Sequence, residues 1–169
     1  MARSLILSLL IFTAAFRSDG SLAQIPPAIA AADEVTVATL HAEGAQIYEC
    51  TAKSNGRPTW EFREPIATLL FDNKTVGRHY AGPTWELMDG SAVAGKAVAN
   101  ASGATANDIP WLKLDVVSRR GSGMLAAVTT VQRIHTRGGA IQGGCDQVGA
   151  FVSVAYSADY VFLRTRSVQ

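Results

Sequence analysis

The chain has 169 residues, 48% of them hydrophobic and 17% charged, with 15 Lys and Arg against 14 Asp and Glu. Near-neutrality without a run of basic residues removes the electrostatic footprint of nucleic-acid binding and leaves no polybasic stripe for anionic lipid. Both partners are excluded on that ground, and the length sets one ordinary domain as the default.

The first element is a leader. Arg3 precedes an apolar run from Leu5 to Phe16, and a polar stretch follows that ends in Ser21-Leu22-Ala23. This is the pattern of a secretory signal peptide, with cleavage expected after Ala23 and weaker sites at Ala30 and Ala32. The run is shorter than the roughly 20 residues that span a bilayer, and no later segment is long and apolar enough to do so. No cysteine stands directly after the cleavage site, where Gln24 lies, so lipid attachment is not indicated. The expected location is secreted or periplasmic. Loss of Arg3, Arg17 and Asp19 with residues 1–23 leaves 13 basic and 13 acidic residues.

Residues 24–34 form an expected extended entry segment, because Pro26-Pro27 opposes regular helix and favours polyproline geometry. From residue 35 to 169 the chain is expected to be a single β-rich domain. Alternation of period two appears at Val35 and Val37, around Ile47, Tyr48 and Cys50, and at Trp60 and Phe62. Further strands are predicted over 67–71, 78–81, 84–88, 111–118, 125–134, 150–156 and 160–164. The 125–134 stretch could also place Leu125, Val128 and Gln132 on one helix face, but its Val-Thr-Thr-Val centre favours strand. Residues 92–108 read as a weak strand followed by a loop. Turns are expected at Asn55-Gly56, Asp72-Asn73, Asp89-Gly90, Arg119 to Gly123 and Gly138-Gly139. Many short strands with regular turns predict an all-β fold, an antiparallel sandwich or barrel.

Two cysteines, Cys50 and Cys145, are the full complement. In an exported chain an even count predicts one disulfide rather than a free catalytic thiol.

The stretch from Gly77 to Ser91, GRHYAGPTWELMDGS, concentrates the residues capable of chemistry. Asp89-Gly90 signals a hairpin, expected as a type I′ turn in which both central residues take positive φ. Gly82-Pro83 should break the preceding strand. Trp85 and Leu87 should face one side, and Glu86 and Met88 the other. His79 and Glu86 on adjacent strands could form a base with its orienter or half of a metal site, or simply a hydrogen-bonded core pair. His135 in IHTRGG and His41 in LHAEG, beside Glu43, complete the histidines. Their spacing matches no standard zinc pattern, HExxH and CxxC are missing, and no metal is assigned.

Other chemistries find less support. There is no G-x-S-x-G elbow, and Ser91 after a turn is ordinary hairpin chemistry. Carboxylate pairs could be drawn from Glu61, Glu64, Glu86 and Asp89, but sequence does not fix the separation that glycoside hydrolysis requires. Arg119-Arg120-Gly121-Ser122-Gly123 lacks a Walker lysine and reads as a loop with a solvated charge pair. Trp60, Trp85 and Trp111, with Tyr48, Tyr80, Tyr156 and Tyr160, could stack on sugars or fill a core. Asn73-Lys74-Thr75 and Asn100-Ala101-Ser102 are glycosylation sequons, relevant only in a host that glycosylates.

The ordered motifs Gly44 to Cys50 (GAQIYEC), His79 to Trp85 (HYAGPTW), Asp89 to Ser91 (DGS), Ile109 to Leu112 (IPWL) and Ala158 to Phe162 (ADYVF) resemble a family. It is a secreted domain of unknown function found in bacteria and filamentous fungi, and the resemblance runs from about Val35 to Arg164. It implies an exported single domain with the two cysteines in the family's positions, and no established reaction. A dehydrogenase activity attributed to some relatives would need a strand-Gly-x-Gly-x-x-Gly-helix unit, which this sequence lacks.

The leading expectation is a module that binds a small molecule or glycan, with Tyr80, Trp85 and Asp89 as ligand-binding residues beside His79 and Glu86. A hydrolase or metal-dependent enzyme using His79, Glu86 and His135 is the second reading. A structural extracellular or envelope protein is the third. No cofactor is assigned.

Overall fold

The computed structural model describes residues 24–54 and 56–166. The leader expected over 1–23, and the Asn55 half of the Asn55-Gly56 turn, lie outside the described residues. Eight antiparallel strands follow in chain order: β1 (Glu34–Thr51), β2 (Thr59–Phe71), β3 (Lys74–Tyr80), β4 (Thr84–Leu87), β5 (Ala92–Ala101), β6 (Trp111–Arg120), β7 (Thr130–Gly138) and β8 (Phe151–Thr165). Each pairs with the next, and β1 pairs with β8, so the sheet closes into a barrel. Closure removes the unpaired edges of an open sheet, and it resolves the expected choice between sandwich and barrel.

Several expected strand pairs are single long strands. The signals at Val35 and Tyr48 belong to β1, those at Trp60 and Leu69 to β2, and those at Val154 and Val161 to β8. Long strands coil around a barrel only where the backbone yields. At Gly44 an added Cβ would lie 2.0 Å from the Ile66 carbonyl oxygen, so any side chain would force β1 away from β2. Glycine at this inward position therefore permits the curvature. The residues read as a weak strand over 92–101 form β5 along their whole length.

The turns follow the local chemistry, with one exchange. Asp72 and Asn73 take φ of 48° and 60° between β2 and β3, the positive pair a type I′ turn needs. At Asp89-Gly90 only Gly90 is left-handed, at φ 83°. Gly90 N–H donates to the Leu87 carbonyl and Leu87 N–H to the Ser91 carbonyl, the pattern of a three-residue hairpin loop. The expected type I′ turn is corrected on that point, because Asp89 instead turns its carboxylate onto the loop around it.

Apolar side chains alternate inward. Leu40, Leu69, Trp85, Leu87, Val93, Leu114, Val131, Tyr160 and Phe162 are buried in one continuous core. One end of the barrel is sealed by residues 121–129, which are turns rather than the expected start of a strand. Two consecutive turns, Ala126 N–H to the Gly123 carbonyl and Val128 N–H to the Leu125 carbonyl, set Leu125 and Val128 three residues apart on one side. Both are fully buried. The helix-like spacing in this stretch therefore records a plug, and tertiary burial overrides the β-propensity of its centre.

The entry segment is less free than expected. Pro27–Ile29 form one 3₁₀ turn, and Ile29 is fully buried against Trp111 and Ile134 on the outside of the barrel. Gln132 Nε2 donates to the Ile29 carbonyl at 2.6 Å. A single buried isoleucine turns what reads as a linker into a strap.

Cys50 and Cys145 form the disulfide, 95 residues apart in sequence. It fastens the long 139–150 connection to the end of β1, where Cys50 and residues 149–150 also exchange backbone hydrogen bonds. In the loop-entropy account, closing about 100 residues removes roughly 4 to 5 kcal/mol of unfolded-state freedom. No helix among the described residues is long and apolar enough to cross a membrane.

Candidate functional site

The hairpin of β3 and β4 has two chemically distinct faces. Period two sends His79 and Trp85, which are directly paired across the strands, into the barrel, and sends Arg78 and Glu86 outward as the neighbouring pair. The Gly82-Pro83 break does occur, with Gly82 at φ 90°.

On the inner face the His79 ring stacks on the Trp85 indole, with centroids 4.6 Å apart and planes 8° from parallel. Tyr160 from β8 closes on both, its centroid 4.9 Å from His79 and 5.2 Å from Trp85. His79 Nδ1 lies 2.9 Å from the Thr84 carbonyl oxygen. A carbonyl only accepts, so Nδ1 carries the proton, and the neutral ring keeps Nε2 as an acceptor. Burial pulls the His79 pKa down to about 4, outweighing the Thr84 bond, and the nearby Arg133 charge lowers it further. His79 is uncharged at neutral pH.

Above this aromatic cluster lies a cavity of about 640 Å³. Trp85, His79, Leu114 and Tyr160 line its base; His79 is buried, and the other three are at the same time part of the core. Gln46 and Tyr48 from β1, Pro65 from β2, Leu112 from β6 and the Ile109-Pro110 segment form its walls. Gly95 belongs to the wall as well, where an added Cβ would come within 3.1 Å of Trp85 and 3.2 Å of Leu114.

The charges of this lining all have one sign. Arg63, Lys96 and Arg133 contribute to it, and no Asp or Glu does. Arg133 Nε and Nη2 both donate to the Pro110 carbonyl oxygen, at 3.1 and 2.8 Å. This fixes the guanidinium without neutralising it. Its charge acts on Tyr48, His79, Tyr156 and Tyr160, so it faces the same interior space. Burial raises the Tyr160 phenol pKa, while the charge and hydrogen-bonding reach of Arg133 oppose that rise. Among the described residues no carboxylate pairs with Arg133 or Lys96. Arg63 differs, since it lies 3.7 Å from Glu49 and 3.5 Å from Glu64.

Two buried donors of the lining are also unpaired. Trp85 Nε1 and Gln46 Nε2 have no hydrogen-bond partner among the described residues. The Gln46 amide exerts a weak pull on the Tyr156 hydroxyl without reaching an aligned bond. A buried donor left without an acceptor costs about 1 to 3 kcal/mol, so such groups mark where an acceptor is missing.

The residues singled out in the sequence separate accordingly. His79 and Trp85 come together in the cavity. Glu86 does not join them: it accepts from Arg78 and the Tyr80 hydroxyl, each at 2.9 Å, and lies 3.2 Å from Arg120. These partners, the hydrogen bond from Arg78 first, hold its carboxyl below the usual range. Tyr80 therefore belongs to an outer-face network, and the Arg119-Arg120 pair is not simply solvated.

His135 lies elsewhere again. A register shift in β7 and a positive φ of 50° turn its ring to Asp159, which it meets at 2.9 Å. His41 binds the other oxygen of Asp159 at 2.8 Å. The expected constellation of His79, Glu86 and His135 thus occupies three separate environments. No group of three metal-ligating side chains is present among the described residues.

Asp89 is architectural. Its carboxylate accepts from the Ser91 hydroxyl at 2.6 Å, the Ser91 N–H and the Met124 N–H, which ties the β4–β5 hairpin to the plug. Those bonds, the hydroxyl first, lower its pKa.

Arg133, Lys96 and Gln46 were not singled out from sequence. Arg133 does carry a usable signal: it is an arginine at an inward position of β7, paired with Tyr160. A cation on the apolar phase of a strand is an exception to its pattern.

The family model described as Protein of unknown function (DUF3455) matches residues 31–74 and 70–164, and the chain belongs to that family. No curated protein and no solved structure matches it.

Proposed function

We propose that this chain is an exported binding module that takes one small, largely apolar molecule into the barrel mouth, against Trp85, His79 and Leu114. The observation that carries the reading is the cavity of about 640 Å³, continuous with the core at its base. Small-molecule sites of roughly 300 to 1,000 Å³ with apolar walls and a few placed polar groups are the common form, and an eight-stranded barrel has room for one such ligand.

Two further observations support a small molecule over the other readings. Sugar stacking needs an open aromatic face, whereas Trp85 is 1% exposed and already stacked on His79. A purely structural domain should satisfy its buried polar groups, and of the four buried side-chain atoms without a partner among the described residues two, Trp85 Nε1 and Gln46 Nε2, belong to residues lining this cavity. Export follows from the leader pattern at residues 3–23 and agrees with a disulfide in the chain.

The test uses N-phenyl-1-naphthylamine, an uncharged probe whose fluorescence rises in apolar surroundings. Saturable binding at one site per chain is expected, and Leu112→Trp, which fills the cavity from its wall, should abolish it while preserving the melting transition. Absence of binding by the folded, oxidised protein would overturn the reading. Expression with the native leader in an exporting host should yield a mature chain beginning at Gln24.

A further inference from the structure

We infer that the ligand is an anion, a monocarboxylate with an apolar body, whose carboxylate is held by Arg133 while its body lies over the Trp85 and His79 rings. The inference rests on the reading of the cavity as a small-molecule site and adds the chemistry that selects the occupant. Three observations converge on it.

The first is charge. The lining holds no acid, and Arg133 within it has no carboxylate partner among the described residues, whereas Arg63 is paired with Glu49 and Glu64 and the exposed Lys96 lies opposite Asp115. A half-buried guanidinium at an inward strand position is a ready partner for a charge-assisted hydrogen bond.

The second is geometry. The Pro110 carbonyl engages Nε and Nη2 on one edge of the Arg133 guanidinium. A guanidinium offers five N–H donors in a rigid fork, so beyond the two used on Pro110 and the reach toward the Tyr160 hydroxyl it keeps donors for a carboxylate. The bond to Pro110 also locks the fork in position before a ligand arrives, which lowers the ordering cost of binding.

The third is the pair of unpaired donors. Trp85 Nε1 and Gln46 Nε2 both belong to residues that line the cavity, and both are nearly fully buried. These donors mark the polar side of the cavity floor, and the choice of an anion rests on Arg133, which a cationic ligand would meet as a like charge.

The experiment is displacement of N-phenyl-1-naphthylamine at pH 7 by decanoate and by decanamide, which share a chain and differ in charge. Decanoate is expected to displace the probe at about tenfold lower concentration or better, the ratio one charge-assisted hydrogen bond supplies. Arg133→Gln should bring the two compounds together while probe affinity is retained. Arg133→Lys should keep part of the preference, and Lys96→Gln, which removes an exposed charge opposite Asp115, should leave it at the wild-type ratio. Equal displacement by the two compounds in the wild-type protein would overturn the anion inference and leave the small-molecule reading intact. If probe, decanoate and decanamide all fail to bind, by fluorescence and by calorimetry, both fall together. Should Arg133→Gln not fold, a preference for decanoate unchanged in Arg133→Lys would overturn the assignment of the carboxylate to Arg133.

Discussion

The two ends of the barrel share strands, twist and closure, yet they treat polar groups in different ways. At the plugged end Ser91 is fully buried and its hydroxyl is used twice, donating to Asp89 and accepting from Leu125 N–H. Asp89 in turn takes the Met124 N–H, so the polar groups of that seal answer one another around Leu125 and Val128. At the open end Trp85 Nε1 and Gln46 Nε2 are left unpaired and Arg133 has no carboxylate partner among the described residues. The plugged end is not free of unpaired polarity either, since Glu34 Oε2 beside Thr130 has no partner among the described residues. What sets the open end apart is that its two unpaired donors and an arginine without a carboxylate border one cavity.

The largest expected effect breaks the plugged end. Leu125→Ala removes a fully buried side chain from the seal and should cost roughly 2 to 5 kcal/mol of stability, read as a lower denaturation midpoint. Displacement of the naphthylamine probe by decanoate, measured well below the new midpoint, should be unchanged. A loss of decanoate preference in a folded Leu125→Ala protein would mean that the two ends are not separable.

The next effect comes from the floor between them. His79 has a folded pKa of about 4 against 6.5 for the free side chain. Between those values the unfolded chain binds a proton that the folded chain excludes, so stability falls as pH drops through this window and levels off below it. Over the whole window the loss amounts to about 3 kcal/mol. The lowered carboxyls of Glu86, Asp89 and Asp108 shed their contribution at still lower pH. Stability measured by urea from pH 7 to pH 4 should therefore slope in the wild-type protein and flatten in His79→Gln. An equal slope in both would show that His79 is not the buried neutral base of the cavity floor.

How much of this is legible without coordinates depends on whether a feature is local. Strand alternation, the turn residues and the cysteine count are local, and they suffice for an all-β chain with one disulfide. The side of β4 that Trp85 and Leu87 share also follows from period two, and the burial of both agrees with it. Closure of β1 onto β8 joins residues more than 100 positions apart and has no local signature. The same holds for Ile29, whose burial depends on Trp111 and Ile134. The site was half visible. His79 and Trp85 are rare residues in a short motif and draw attention, whereas Arg133 and Gln46 stand out only when their positions are known to face inward. The pairing of His79 with Glu86 failed for a physical reason available in advance: His79 lies opposite Trp85 in the register, and Glu86, its neighbour, must then point the other way.

That opposition gives the smallest expected effect and the sharpest contrast. Glu86 sits next to Trp85 in sequence, so a substitution there perturbs the same strand without touching the cavity lining. Its partners Arg78 and Arg120 are well exposed, at 69% and 62%, and exposed ion pairs contribute little in water. Glu86→Gln keeps the shape of the side chain and an acceptor for the Tyr80 hydroxyl while removing the charge. It should move the melting temperature less than either change above and leave both probe binding and the decanoate preference at wild-type values. Arg133→Gln, one strand system away on the inner face, should do the reverse. If Glu86→Gln weakened decanoate binding as much as Arg133→Gln, the outer network would be coupled to the lumen, and selectivity could no longer be assigned to the inner face alone.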